Sequence, residues 1–403
     1  MPPSTIASTD VMSLEQALAI AGWPDSLLAE EKQAEIVEDI RGFEYELLFG
    51  AHVDRIIVLR NGVARLGLDR ALPRDLANAA NGETCVRKFL ARLGDEDTVR
   101  ELRGRLYCSG PRGRSDEHEL KRARDGRELD TLADKRAELA FRDAERETRG
   151  DPRELVYLAE LRRARKYRHG TDGRWSKTLL SRGVCDWVGR KRVLAMPYWD
   201  RYDEGLFVGA RYGGSPMHVD QVLWSNVGKS LAGHKLLAIW PYGEPSRDLF
   251  AKHNYTLFVP PLSEGEQRAI ARASKVALLG PGDVVIFHGG NAHMALSVSE
   301  SLSVTAYESF VNMNATNIDA LLDSGTSSHY EPCRTRQPIL DDIKTEVAES
   351  LNDLAEDWED DRLHDVELEQ AAPIAIDQLR RDKLIRSKVP ELRPHLARRR
   401  RLH

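Results

Sequence analysis

Gly214-Ser215-Pro216-Met217-His218-Val219-Asp220 is the stretch on which the fold is decided. His218 and Asp220 are two positions apart, so on a strand both side chains project to one face, as two ligands of a single metal must. The glycines at 213 and 214 make the lead-in flexible enough to bring backbone close to a ligand. The triplet alone carries little weight: with 12 histidines and acids this frequent, roughly two His-X-Asp or His-X-Glu triplets arise by accident. The chain supplies its own controls in His52-Val53-Asp54, ahead of an Asn61-Gly62 turn signal, and His329-Tyr330-Glu331, beside Pro332. Neither is followed by the features that accompany His218, and both are read as structural.

Around the stretch, short β-type runs are punctuated by glycine and proline: Gly205 to Gly209, Lys235 to Pro241, Asp283 to Phe287 and Ser301 to Tyr307. Such spacing predicts an antiparallel sandwich or barrel. A third ligand then has to come from a distant strand. His293 is the choice, because it follows Pro281-Gly282-Asp283, the strand Val284 to Phe287 and the short turn Gly289 to Ala292. Two histidines and one carboxylate leave three adjacent coordination positions open, the arrangement by which non-haem Fe(II) oxygenases hold a co-substrate and O₂. Lys235 heads an apolar strand, where a buried ammonium needs an anionic partner. A dicarboxylate co-substrate supplies one, with Thr305 as a hydroxyl donor on the strand Ser301 to Tyr307.

These residues resemble a family. The stretch from Leu206 to Phe310 is similar to the JmjC-type Fe(II)/2-oxoglutarate oxygenases of the cupin superfamily, and within them to the JmjC protein hydroxylases. Residues 214 to 220 resemble the family's first ligand strand, with Ser215 where a hydroxyl residue three before the histidine helps bind 2-oxoglutarate. Gly233-His234-Lys235 resembles the co-substrate lysine motif. Pro281 to Phe287 with His293 resembles the second ligand strand, and Thr305 falls where the lysyl-hydroxylase-like subgroup has its co-substrate threonine. Asn226 matches the asparagine that faces the co-substrate. Two positions depart from the pattern: His288 stands where the family usually has proline, and Tyr307 where many members have asparagine.

The resemblance implies an α+β chain built on a double-stranded β-helix (the jelly-roll or cupin core), with helical segments on both sides. It implies Fe(II) held by His218, Asp220 and His293, and 2-oxoglutarate held by Lys235, Thr305, Ser215 and Asn226. The activity implied is oxidation of a C–H bond with O₂, with release of succinate and CO₂. With Asp220 as the carboxylate and no zinc-finger cysteines, a protein side chain is the expected substrate. Demethylation of a histone or other protein, hydroxylation of RNA and a non-catalytic scaffold are the alternatives. Helices after the barrel imply a homodimer or, equally, a cap on the chain's own barrel.

Further out, the 403 residues carry 59 Lys plus Arg against 64 Asp plus Glu, a net charge of −5, which excludes a uniformly basic nucleic-acid or membrane glue. At 41% hydrophobic residues the chain has material for a real core. Four regions are expected: 1–110, mostly helical with a hairpin at Ile56 to Leu68; 111–180, charged exposed helices; 181–315, the catalytic core; and 316–403, helical from Ile339 to Leu354 and Ala371 to Leu384, ending in Arg398 to Arg401. The basic runs Arg162 to Arg168 and Arg398 to Arg401 are the only pointers to nucleic acid. Cys85, Cys108, Cys185 and Cys333 form no CxxC pair, which points to a reducing compartment. Without a secretory signal in Met1 to Pro24 or an apolar run of the roughly 20 residues a membrane helix needs, the expected location is intracellular, cytoplasmic or nuclear.

Overall fold

The computed structural model describes residues 12–68, 102–109, 115–119, 155–163, 184, 198–199, 205–209, 211–220, 222–254, 256–300, 303–325 and 340–349. These form a mixed α+β structure with two sheets, in which the strand pairs are antiparallel except for one at an edge. The strands are β1 (Glu35–Ile36), β2 (Ile56–Leu59), β3 (Leu102–Ser109), β4 (Ser115–Glu119), β5 (Leu155–Arg163), β6 (Tyr198–Trp199), β7 (Gly205–Gly209), β8 (Gly214–His218), β9 (Ser225–Ala232), β10 (Lys235–Ile239), β11 (Lys275–Leu279), β12 (Val284–His288), β13 (His293–Ser297) and β14 (Ser303–Val311). The larger sheet runs β1-β2-β12-β9-β14-β7-β5-β3-β4, with β6 also on β14; the smaller runs β11-β10-β13-β8. From β7 to β14 the chain alternates between them, except that β10 and β11 follow one another in the smaller sheet. β7, β9, β12 and β14 belong to the larger sheet, and β8, β10, β11 and β13 to the smaller.

Burial follows the two-residue period of a strand. Leu237 and Ile239 on β10, Ala277 and Leu279 on β11, and Ala295 on β13 pack with Ile56, Val58, Val285 and Phe287 of the larger sheet. The other face of β10, Leu236 and Ala238, turns to a second cluster. That cluster includes Ala17 and Leu18 of helix α1 (Leu14–Ala21) and Ile270 of a later helix, Glu264–Ala271. Every residue of β10 is therefore buried, which is why its sequence shows an apolar run instead of an alternation. Each fully buried Leu or Ile contributes about 1.5–3 kcal/mol, so two such faces fix the small sheet firmly. α1 starts on a Ser13–Gln16 capping box and ends at Gly22, whose φ of 66° suits glycine.

Two expectations about local structure fail. The Asn61-Gly62 pair does not turn a hairpin. β2 has β1 on one side and β12 on the other, so no edge is left for Val63 to Leu68. Instead Asn61 adopts φ 51° and Gly62–Arg65 form a short helix, α3, where a Cβ at Gly62 would press on Val284. The 111–180 region was expected to be helical, yet its described parts are strands: β4 and β5 extend the larger sheet, with β5 paired to β7. Leucine spacing there also fits a strand of β-forming residues such as Val156 and Tyr157, and the open edge of β7 supplies the backbone partner that decides between the two. Residues 120–154, the remaining basic positions 164–168, Ala371 to Leu384 and Arg398 to Arg401 lie outside the described residues.

After the core, α2 (Ile40–Phe49) and a helix at Ala315–Asp323 lie close together through Asn312 and Asn317, whose amides donate to the Leu47 and Gly50 carbonyls. Residues 340–349 are helical, within the expected Ile339 to Leu354. Lys344 donates to the Leu322 and Ser324 carbonyls at 2.8 and 2.7 Å, placing a cation on the C-terminal end of the preceding helix, where its dipole favours one. No helix among the described residues is long and apolar enough to cross a membrane.

Candidate metal centre

β8 and β13 pair antiparallel with His218 directly opposite His293. The register then shifts, so that Ser215 rather than Pro216 faces Ala295. This bulge turns Ser215 and His218, three residues apart, to the same side. Gly214 is required for a reason other than ligand approach: a Cβ there would collide with the Ala295 carbonyl of β13.

The three expected ligands converge. One donor atom from each of His218, Asp220 and His293 lies within 4.8 Å of the others. Asp220 Oδ1 is 3.7 Å from His218 Nε2 and 3.8 Å from His293 Nε2, and the two rings are 4.2 Å apart at their centroids. Each ligand is oriented from behind. His218 Nδ1 donates to the Pro216 carbonyl at 2.7 Å and His293 Nδ1 to the Asn291 carbonyl at 2.9 Å. A carbonyl only accepts, so both Nδ1 atoms carry the proton and both Nε2 lone pairs face the common point. Burial, with His218 next to it, holds the His293 imidazole well below the usual histidine range, which keeps it neutral, the form a metal binds. Asn226 Nδ2 donates to Asp220 Oδ2 at 2.7 Å, leaving Oδ1 to the histidines. Gly289 backs the same carboxylate: its carbonyl accepts from Asp220 N–H at 2.9 Å, and a Cβ there would overlap Oδ2.

Asn226 has a task besides the expected one: one end of its amide holds Asp220 and the other accepts from Ser309 Oγ at 3.0 Å, so it orients that carboxylate.

Lys235 lies four residues along β10 from Ile239, the residue opposite His293, or roughly 13 Å at strand rise. It is 1% exposed, and burial pushes its ammonium down to about 7. No carboxylate pairs with it among the described residues. Its neighbour is Tyr157, whose hydroxyl accepts from Nζ at 3.4 Å and from Ser215 Oγ at 3.3 Å, with Nζ 5.3 Å from the ring centre. Ser297, opposite Lys235, and Ser303 share a short hydrogen bond next to this group. Thr305 is buried on β14, on the interior side that it shares with Tyr307 and Ser309.

Aromatic rings connect the two ends. Phe287 is 5.0 Å from His293, Tyr307 is 5.9 Å from Phe287 and 5.1 Å from Phe207, and Phe207 is 6.2 Å from Tyr157. Gly228 leaves the space in which Tyr307 lies, and desolvation pushes the Tyr307 phenol above its usual range. Tyr157, Gly228 and Gly289 were missed from the sequence. Tyr157 sat within a segment read as charged helix, and the glycines carry no chemistry of their own. The Asn291-X-His293 spacing was the one available signal for the turn behind the third ligand.

The histidine of the first control triplet is engaged elsewhere. His52 is fully buried, with Nδ1 2.7 Å from Ser225 Oγ and Nε2 2.9 Å from the Glu46 carbonyl. His329 lies outside the described residues. No family model matches the chain, and no curated protein matches it.

Proposed function

We propose that the chain is an Fe(II)- and 2-oxoglutarate-dependent oxygenase of the JmjC type, built on a double-stranded β-helix and acting on a protein side chain. The observation that carries the reading is the pairing of two features in one interior: a two-histidine, one-carboxylate cluster with its Nε2 and Oδ1 atoms converging, and a buried lysine at the far end with no carboxylate partner among the described residues. The alternation of β7 to β14 between the two sheets supports the β-helix reading. The donor set suits a divalent iron with three open positions.

When bound there, iron with 2-oxoglutarate and O₂ supplies oxidative decarboxylation to succinate and CO₂, coupled to hydroxylation of a C–H bond. The chain's own contribution is orientation and exclusion of water. Lys235 and Tyr157 hold the distal carboxylate of the co-substrate, and the anion in turn favours the ammonium form of Lys235. Asn226 and the two backbone carbonyls keep the ligand atoms aimed, and the aromatic wall keeps the path between the ends dry. Hydroxylation leaves a stable alcohol on a side-chain carbon, while the same oxidation of an N-methyl group releases formaldehyde. Asp220 as the carboxylate favours the first outcome.

Release of CO₂ from 1-labelled 2-oxoglutarate tests the reading. Turnover is expected only with Fe(II) and is expected to vanish in His218→Ala and Asp220→Ala. Persistence in both variants would overturn the metal assignment, and a parent protein that binds Fe(II) and 2-oxoglutarate but never turns over would favour a scaffold. Mass spectrometry of peptides retained by the inactive His218 variant then addresses the substrate.

A further inference from the structure

Asp54, dismissed with His52 as part of a control triplet, reaches the third metal ligand through one intermediate residue. Its Oδ1 accepts from Asn291 Nδ2 at 2.6 Å and from Tyr242 N–H at 2.7 Å, while its own N–H donates to Asn291 Oδ1 at 3.0 Å. Asn291 is completely buried, and its Nδ2 also donates to the Trp240 carbonyl at 2.8 Å. The next residue is tied to the same strand end, with Trp240 N–H donating to the Ala292 carbonyl at 2.8 Å. The carbonyl of Asn291 is the group that receives His293 Nδ1–H. Asp54 itself holds φ 61°, a left-handed conformation in which Asp and Asn are enriched.

We infer that Asp54 and Asn291 are positioning residues for His293: a two-way hydrogen-bonded clamp from the N-terminal region that sets the direction of the Asn291 carbonyl and, through it, the imidazole's proton and lone pair. His218 takes its carbonyl from a proline on its own strand and Asp220 takes its amide from Asn226. His293, by contrast, depends on a segment more than two hundred residues away. Groups standing behind metal ligands typically alter metal affinity by about 10- to 100-fold. The N-terminal segment therefore completes the centre. This rests on the metal reading above, so the test carries one readout that needs no metal.

The test uses the full chain with Asp54→Gly, which removes the carboxylate without straining a left-handed backbone, and Asp54→Asn, which keeps an acceptor oxygen and tolerates the same φ. Co(II) titration by calorimetry reports affinity. The ¹⁵N shifts of the His293 ring in metal-free protein, assigned by their loss in His293→Gln, report its tautomer. Asp54→Gly is expected to weaken Co(II) binding about 10-fold or more and to move the ring away from a pure Nδ1–H tautomer, with Asp54→Asn restoring both. Unchanged affinity and tautomer in Asp54→Gly would overturn the clamp, as would equal losses in both variants. If the parent binds no Co(II) and Asp54→Gly still shifts the tautomer, the clamp stands and the metal reading falls.

Discussion

His218-Val219-Asp220 and His52-Val53-Asp54 are the same tripeptide in two settings. In the first, an edge strand with a bulge presents the histidine to the interior and the next turn brings the carboxylate beside it. In the second, the histidine is packed between Ser225, Asn317 and the Glu46 carbonyl, while the aspartate turns away to hold Asn291. One histidine keeps a lone pair free for an outside ligand; the other has both ring nitrogens engaged within the protein. Identical chemistry along the chain becomes part of a candidate metal site or a core support according to what the other strands deliver to it.

The strongest way to break the contrast is to remove the ligands. His218→Ala and Asp220→Ala are expected to abolish Fe(II)-dependent turnover and stoichiometric Co(II) binding while leaving the fold intact, as read by calorimetry and circular dichroism. His52→Ala should do the reverse. Loss of a buried ring and of its partners' hydrogen bonds is expected to cost about 3 kcal/mol, seen as a lower denaturation midpoint, with Co(II) stoichiometry retained in the folded protein.

The two motifs should also separate in acid. Burial holds His52 down to about 4, below its unfolded value of about 6.5. Above pH 6.5 it is neutral in both states. As pH falls from 6.5 toward 4 the unfolded chain takes a proton that the folded chain refuses, so stability declines by about 3 kcal/mol and the decline ends once the folded form titrates. In urea melts across this range, that share of the slope is expected to be missing in His52→Gln; an unchanged slope would assign it elsewhere.

Gly289→Ala sharpens the contrast from the other side, since Gly289 is pressed on the Asp220 carboxylate. A Cβ overlapping Asp220 Oδ2 should lower Co(II) affinity roughly 10-fold or more, with little loss of stability by thermal melt. The last test concerns Lys235. Below about pH 7 it is charged folded and unfolded and the folded state carries the full burial penalty. Stability should rise between pH 7 and the unfolded value of about 10.4. At pH 8, 2-oxoglutarate binding should draw in close to one proton. Calorimetry in two buffers of different ionisation enthalpy measures that uptake, which Lys235→Met should eliminate.

Much of the candidate centre was legible along the chain. His218, Asp220 and His293 stand out by residue type and spacing, and Lys235 by its place at the head of an apolar run; the first three converge and Lys235 is buried. The β-type runs after residue 200 correspond to β7, β10, β12 and β14 because alternation and glycine punctuation are local signals. The helical reading of 111–180 and the hairpin at Asn61-Gly62 failed because each depended on which strand edge was open. Edge availability is a property of distant pairings: β2 is filled by β12, and β5 finds β7.

The sequence by itself determined the chemistry available: three metal-seeking side chains, a lysine placed where water is scarce, and strands with faces to bury. The tertiary structure alone decided that Tyr157 would face Lys235, that Asn226 would hold Asp220, and that Asp54 would stand behind His293. A hydrogen bond between residues hundreds apart leaves no local pattern, because its partners meet only after the sheets have closed and their remaining polar groups must be satisfied in one another's company.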